Sequence, residues 1–359
     1  MKNQFTAILL VSTLIIFSCK KEEDDSESFK TTPYNLQYGN LPTPSIPADN
    51  LLTEEGVNLG RFLFYDKQLS SDGSISCGSC HVAQDGFSDS RRFSIGVLGL
   101  PGGRQAMSTV NMLWNNNQFF WDGRANLLRE QSIMPIQDSL EMHETMPNVI
   151  SKLSASSTYV SKFKKAFGSE QITNETISKA LEQFMNSIVS FNSKFDKSER
   201  GEVALTASEQ RGKSLYFAEY NPFFPSLSGA DCAHCHSGNN FENDLYMNNG
   251  LDSDAAMTDH GRMSATGAAS DRAKFKVPTL RNIALTAPYM HDGRFTTLEE
   301  VVDHYNSGIV TSSTIDPAIE NTRSTGLLLD SADKVDLVNF LKTLTDYEVI
   351  SNPAYQSPF

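Results

Sequence analysis

Several things are scarce in this 359-residue chain, and each shortage narrows what it can be. After the apolar run at residues 7–17, no segment is apolar enough to span a bilayer. Strand-like alternation of apolar and polar residues is rare, which argues against a β architecture. Basic residues are outnumbered, with 30 Lys and Arg against 43 Asp and Glu, for a formal charge of -13. A surface of that sign excludes nucleic acid or an anionic membrane face as the main partner and suits a cationic protein. Hydrophobic residues still make up 39% of the chain, enough to build a core, and the length suits two domains. Trp is limited to two residues and Cys to five, and the placement of the five Cys narrows the class further.

Lys2 precedes the apolar run, which has the length of a signal-peptide core rather than of a membrane span. It ends at Ser18-Cys19, which resembles a lipoprotein signal. The expectation is a signal peptide over 1–18 and lipidation of Cys19. The protein is then exported to the periplasm or cell surface, with the lipid as its one link to the membrane. Residues 19–50 hold the charge run Lys20-Lys21-Glu22-Glu23-Asp24-Asp25 and a proline-rich stretch from Pro33 to Pro47. Such composition predicts a flexible tether.

The other four Cys form two identical spacings, Cys77-Gly78-Ser79-Cys80-His81 and Cys232-Ala233-His234-Cys235-His236. C-x-x-C-H is the attachment signature of c-type haem: two thiols one turn apart bond the two vinyl groups, and the adjacent His ligates the iron. A zinc site built from all four thiols would need the pairs much closer in the chain. Disulfides or redox dithiols would not require His after both second Cys. The sequence therefore predicts two covalent haem c groups, with His81 and His236 as proximal ligands.

Helical spacing dominates elsewhere. It predicts helices over residues 50–65, 147–168 and 175–198, and a last one through Val335, Val338, Leu341 and Leu344. Thr206-x-x-Glu209 and Thr297-x-x-Glu300 are capping boxes that open two more. A faint repeat runs through the chain. Each haem motif is followed at a distance by an aromatic or His before Asp-Gly-Arg: Trp121-Asp122-Gly123-Arg124, then His291-Asp292-Gly293-Arg294. The repeat predicts an all-α fold of two haem domains, 51–198 and 199–359, joined near residue 200.

Longer stretches sharpen this. Leu59-Gly60-Arg61-Phe62-Leu63-Phe64, Leu69-Ser70-x-Asp72-Gly73-Ser74-Ile75-Ser76-Cys77, Phe120-Trp121-Asp122-Gly123-Arg124, Phe275-Lys276-Val277-Pro278-Thr279-Leu280-Arg281-Asn282 and Pro288-Tyr289-Met290-His291-Asp292-Gly293 stand in that order. Together they resemble the bacterial dihaem cytochrome c peroxidase family, which includes the MauG-type enzymes. The resemblance implies two cytochrome c-like domains packed together. The N-terminal haem is the peroxide site, and the C-terminal haem accepts electrons from a small cytochrome c or cupredoxin. By position, Glu141 matches the family's distal acid–base residue, Gln131 its distal glutamine, and Trp121 the tryptophan between the haems. A calcium ion between the domains is also implied, on the carbonyls of Thr286 and Pro288 with a side-chain oxygen near Gln105, where Asn is usual. Homodimers are common in the family.

Two positions depart from the pattern. Many members carry a His in the loop after the first haem motif; here the matching stretch is Phe93-Ser94-Ile95-Gly96-Val97, and Val97 cannot ligate iron. The expectation is an N-terminal haem open to peroxide without prior reduction, with His143 as the only substitute ligand nearby. At the C-terminal haem, Tyr305 stands where peroxidases mostly use Met, as it does in MauG-type proteins. A phenolate lowers the iron's potential relative to Met. Met290, Met263 and Met247 are the rivals. The sequence thus predicts a peroxidase reducing hydrogen peroxide to water. The alternatives are oxidation of Tyr or Trp on a partner protein, and a dihaem electron carrier without chemistry of its own.

Overall fold

The computed structural model describes residues 29–359. The leader and Cys19 lie outside the described residues. Among the described residues there are twelve α-helices and a single two-stranded antiparallel ladder, β1 (Tyr246–Met247) with β2 (Phe275–Lys276). The first half contains α1 (Glu54–Tyr65), α2 (Leu128–Gln137), α3 (Met146–Ser154), α4 (Ser157–Phe167) and α5 (Asn174–Ser187). After α6 (Lys194–Glu199), the second half contains α7 (Ala207–Phe217), α8 (Met263–Thr266), α9 (Leu298–Ser307), α10 (Pro317–Thr322), α11 (Ser331–Lys342) and α12 (Tyr347–Ser351).

Each half is built on one helix crossing, and the two crossings use the same device. α1 packs on α5 at Gly60, where an added Cβ would collide with the Ala180 carbonyl oxygen and press on Phe184. α7 packs on α11 at Gly212, where it would collide with the Asp336 carbonyl and press on Phe340. Glycine lets the backbones approach, and the phenylalanine beside it fills the space around the contact. The first crossing is surrounded by Leu59, Leu63, Phe64, Phe163 and Phe184, all almost fully buried. Tyr216, Phe241, Phe340 and Leu344 surround the second.

Both capping boxes form: Thr206 accepts from the Glu209 amide at α7, and Thr297 from the Glu300 amide at α9. The helix expected over 147–168 is two helices, because Ser156 accepts from the Tyr159 amide and starts a new one. The helix expected over 175–198 stops at Ser187, where Ile188 turns extended.

The tether expected over 19–50 is corrected for its described part. Tyr34, Leu36, Tyr38, Leu41 and Ile46 pack with Leu52, Leu113, Trp114 and Val189 into a separate small core. The Trp114 indole N–H donates to the Pro42 carbonyl at 2.8 Å. Prolines pre-order the chain, so a proline-rich segment studded with aromatics loses little entropy on packing. Around residue 200, α6, expected to end the first domain, packs on the second core instead. Phe195 of α6 packs on Phe241 and Phe340 of the second core, with ring centroids 5.2 and 5.8 Å away. Asp196 forms a buried ion pair with Arg281 at 2.9 Å. In the other direction, Val349 and Tyr355 return to complete the first core.

Candidate haem pockets and the wall between them

Both C-x-x-C-H motifs open as one turn of 3-10 helix, Cys77–Ser79 and Cys232–His234. The His that follows each is fixed through one ring nitrogen. His81 Nδ1 lies 3.1 Å from the Phe87 carbonyl. His236 Nδ1 lies 3.0 Å from the Pro278 carbonyl and 3.3 Å from that of Phe241. A carbonyl only accepts, so Nδ1 carries the proton and the Nε2 lone pair is left for a metal. Burial reinforces this by depressing the pKa of both rings, that of His236 to about 4. The four thiols are free and partly buried. Burial pushes Cys77, Cys232 and Cys235 up to about 12, which disfavours reactive thiolates and with them a dithiol redox role.

A cavity of about 600 Å³ passes both motifs, touching Cys80 and His81 at one end and Cys232, Cys235 and His236 at the other. Paired thiols, a neutral imidazole and an apolar wall in each half fit one haem c apiece.

At the N-terminal end, α2 presents Leu128, Gln131 and Pro135 to the cavity, one helical face. The chain then turns at Asp138, whose carboxylate accepts from the Leu140 amide at 2.8 Å and whose carbonyl accepts from the Glu141 amide at 3.1 Å. This turn directs Glu141 into the cavity. Behind it, the Val97 amide donates to the Glu141 carbonyl at 2.9 Å. Gly96 allows this approach, since a Cβ there would strike the Leu140 carbonyl. A side pocket of about 50 Å³ is enclosed by His81, Gly96, Gln131 and Glu141. Burial pushes the Glu141 carboxyl up to about 7; neighbouring Asp138 adds to the rise and Arg124 opposes it. Val97 does not line the cavity, and His143 is exposed to solvent and does not reach it.

Trp121 lines the same cavity. Its indole N–H donates to the Gln105 carbonyl at 2.8 Å, and its carbonyl accepts from the Lys276 amide at 2.8 Å. It packs against Met257, Ala273 and Phe275, and Phe275 stacks on His291 at 3.6 Å. Lys276 itself was overlooked in the sequence, although it lies inside a quoted motif. Its side chain is only 4% exposed, and its ammonium has no hydrogen-bond partner among the described residues. Its ion pair with Asp244 is long, at 3.5 Å, and a buried cation with no hydrogen bond beside an anionic cofactor's cavity is what haem carboxylates would satisfy. Nothing in an isolated Lys codon marks it as buried, so only the fold could reveal it.

At the C-terminal end, Tyr305 of α9 lines the cavity with Met290 and Met247; Met263 does not reach it. Asn249 Nδ2 lies 3.3 Å from the Tyr305 hydroxyl and 3.3 Å from Met290 Sδ. Burial pushes the Tyr305 phenol up to about 12. Met247 Sδ lies 3.2 Å from Cys235 Sγ. Asn249, which touches two of the candidate ligands, carried no signal in the sequence.

The faint repeat becomes a structural register. Phe119 bridges Ala125 just as Tyr289 bridges Phe295. Phe120 and Met290 take the same left-handed conformation, at φ 69° and 72°. Asp122 pairs with Arg124 as Asp292 pairs with Arg294. α2 then starts at Leu128 and α9 at Leu298, so Pro135 and Tyr305 occupy equivalent helix positions.

Gln105, Thr286 and Pro288 all border the cavity on the same wall. The Gln105 amide nitrogen donates to Ser88 Oγ at 2.8 Å, which leaves its side-chain oxygen free to turn toward a cation. Among the described residues, the Thr286 and Pro288 carbonyls accept no hydrogen bond. Oxygens of this kind suit calcium.

The family profile described as di-haem cytochrome c peroxidase matches residues 54–204. A methylamine utilization protein MauG of Methylorubrum extorquens is 34% identical over 300 residues, spanning 83% of this chain and 80% of its own. A cytochrome c551 peroxidase of Nitrosomonas europaea is 38% identical over 274 residues, spanning 75% and 78%. The crystal structure of a MauG-like protein associated with microbial copper homeostasis superposes with a TM-score of 0.80 at 35% identity, covering 89% of this chain and 97% of that one.

Proposed function

The chain belongs to the di-haem cytochrome c peroxidase family, and from that premise we propose that it reduces hydrogen peroxide to water with electrons from a small redox protein, a cytochrome c or a cupredoxin. The supporting observation is that Glu141 and Gln131 both line the cavity end that holds His81. The overall change takes one peroxide, two electrons and two protons to two waters. The haems, when bound, supply the iron that cleaves the O–O bond and a reservoir for the second oxidising equivalent. Glu141 accepts the proton from the near peroxide oxygen and returns it to the far one, which leaves as water. Its carboxyl, poised near 7, can do both at neutral pH. The Gln131 amide orients peroxide by a hydrogen bond. Trp121, bonded to Gln105 and to Lys276, holds the wall through which the two ends communicate.

Val97 in place of a loop His supports a pocket ready for peroxide in the fully oxidised protein. Tyr305, Met290 and Met247 compete for the sixth position on the C-terminal haem; Tyr305 is preferred for its match to the Tyr of MauG-type proteins, since Asn249 lies 3.3 Å from both its hydroxyl and Met290 Sδ. Calcium is assigned to the carbonyls of Thr286 and Pro288 and the side chain of Gln105. Export to the periplasm and anchoring through Cys19 complete the reading.

The test is peroxide-dependent oxidation of a reduced small cytochrome c by haem-loaded protein, without pre-reduction. Rapid turnover is expected. No turnover, with or without pre-reduction, would overturn it. Tyr305 and Val97 favour a second reading, oxidation of Tyr or Trp on a partner protein, which peroxide-driven modification in place of cytochrome turnover would reveal.

A further inference from the structure

We propose that Lys276 binds a propionate carboxylate of the haem in the C-terminal pocket and so raises that haem's reduction potential. The cavity has four Lys and Arg side chains on its wall: Arg104, Arg124, Lys276 and Arg281. Three are already engaged. Arg104 bonds Asp122 and Asp259, each at 2.7 Å. Arg124 bonds Asp122 at 3.1 Å. Arg281 bonds Asp196 and the Asn239 carbonyl. Lys276 alone has an ammonium that is buried and without a hydrogen bond among the described residues, its closest carboxylate being Asp244 at 3.5 Å. Glu242, the other carboxylate beside it, is held by Asn240 Nδ2 at 2.6 Å. A haem brings two carboxylates that need cationic partners, and Lys276, held only by the longer 3.5 Å ion pair with Asp244, is the least engaged of the four.

The surroundings of Lys276 assign the contact to the C-terminal haem. β2 continues directly into Pro278, whose carbonyl holds His236 Nδ1 at 3.0 Å. The facing strand carries Met247, whose sulfur lies beside Cys235. At its other end Lys276 donates its backbone N–H to the Trp121 carbonyl, so one residue joins the cofactor's carboxylate to the coupling tryptophan. A fixed positive charge in a low-dielectric wall favours the added electron, and its removal favours the oxidised iron.

The inference rests on the dihaem assignment but not on peroxide turnover, and it is read without peroxide or donor. The full chain with both haems is titrated spectroelectrochemically, as wild type, Lys276→Met and Lys276→Arg. The midpoint of the C-terminal haem is expected to fall in Lys276→Met, to stay near wild type in Lys276→Arg, and to leave the N-terminal midpoint less moved in both. Should Lys276→Met fail to retain haem, Lys276→Gln gives the neutral comparison with a hydrogen-bond donor kept. An unmoved C-terminal midpoint in the neutral variant overturns the proposal, as does an equal or larger fall at the N-terminal haem. An inactive wild type leaves the comparison of midpoints intact and counts only against the peroxidase reading.

Discussion

In the N-terminal pocket, the helix that follows the Asp-Gly-Arg turn shows Gln131 and Pro135 to the cavity; in the C-terminal pocket, the corresponding helix shows Val301 and Tyr305. The frame around them is shared. Phe87 and Phe241, both left-handed at φ 59° and 54°, lend their carbonyls to the proximal histidines. Gly60 and Gly212 make the same helix contact. What separates the two pockets is a few side chains on one helix face. Pro135 offers no ligand atom; it sits inside α2, which runs on to Gln137 before the chain turns at Asp138 toward Glu141. Tyr305 brings a phenol to the equivalent place in α9, which is ten residues long like α2.

The contrast can be broken most severely at Glu141. Glu141→Gln is expected to lower kcat/KM for peroxide by about 10²–10⁴-fold, the worth of a positioned acid–base group, while the absorption bands of the C-terminal haem stay unchanged. Loss of both would mean that the pockets are not separable. The pH profile sharpens the same point. The carboxylate form is the base, so kcat/KM should fall about tenfold per pH unit below about 7, and Glu141→Gln should lose that limb. Stability carries the opposite sign. The folded protein retains the Glu141 proton up to about 7 while the unfolded chain releases it at the ordinary glutamate value, so this group makes stability decline as pH rises through that window. A urea titration series across the window checks it.

Next in size are the crossings. Gly60→Ala and Gly212→Ala should each cost about 1–3 kcal/mol of overpacking, read by denaturant unfolding, with the first loosening the N-terminal haem spectrum and the second the C-terminal one. A change confined to the wrong haem would contradict the two-core description. The smallest effect on turnover is expected from Tyr305→Phe, which should alter the low-spin signature of the C-terminal haem. An unchanged spectrum rules Tyr305 out as ligand and returns Met290 and Met247 to contention.

How much of this was legible beforehand follows from what kind of information each feature carries. The haem motifs are local: adjacent residues with fixed chemistry, readable at Cys77–His81 and Cys232–His236. The capping boxes at Thr206 and Thr297 are local too, and both form. Glu141, Gln131 and Trp121 were reached through resemblance, and the fold brings all three to one cavity. The packing of Tyr34 and Tyr38 was missed because proline and charge dominate the composition there, whereas the segment's partners, Trp114 and Val189, lie far along the chain. Lys276 and Asn249 escaped for the same reason: their significance is burial beside groups distant in sequence.

The return of the chain to its first core has a consequence for biosynthesis. Tyr65 donates to the Tyr355 carbonyl at 2.6 Å, and Arg61 donates to the Gln356 and Pro353 carbonyls, each at 2.7 Å. The first core therefore lacks its lid until residues 349–356 have emerged, by which time the second half has been made in full. The second core, whose last residue is Leu344, can therefore close before the first, which is completed only when Val349 and Tyr355 have been made.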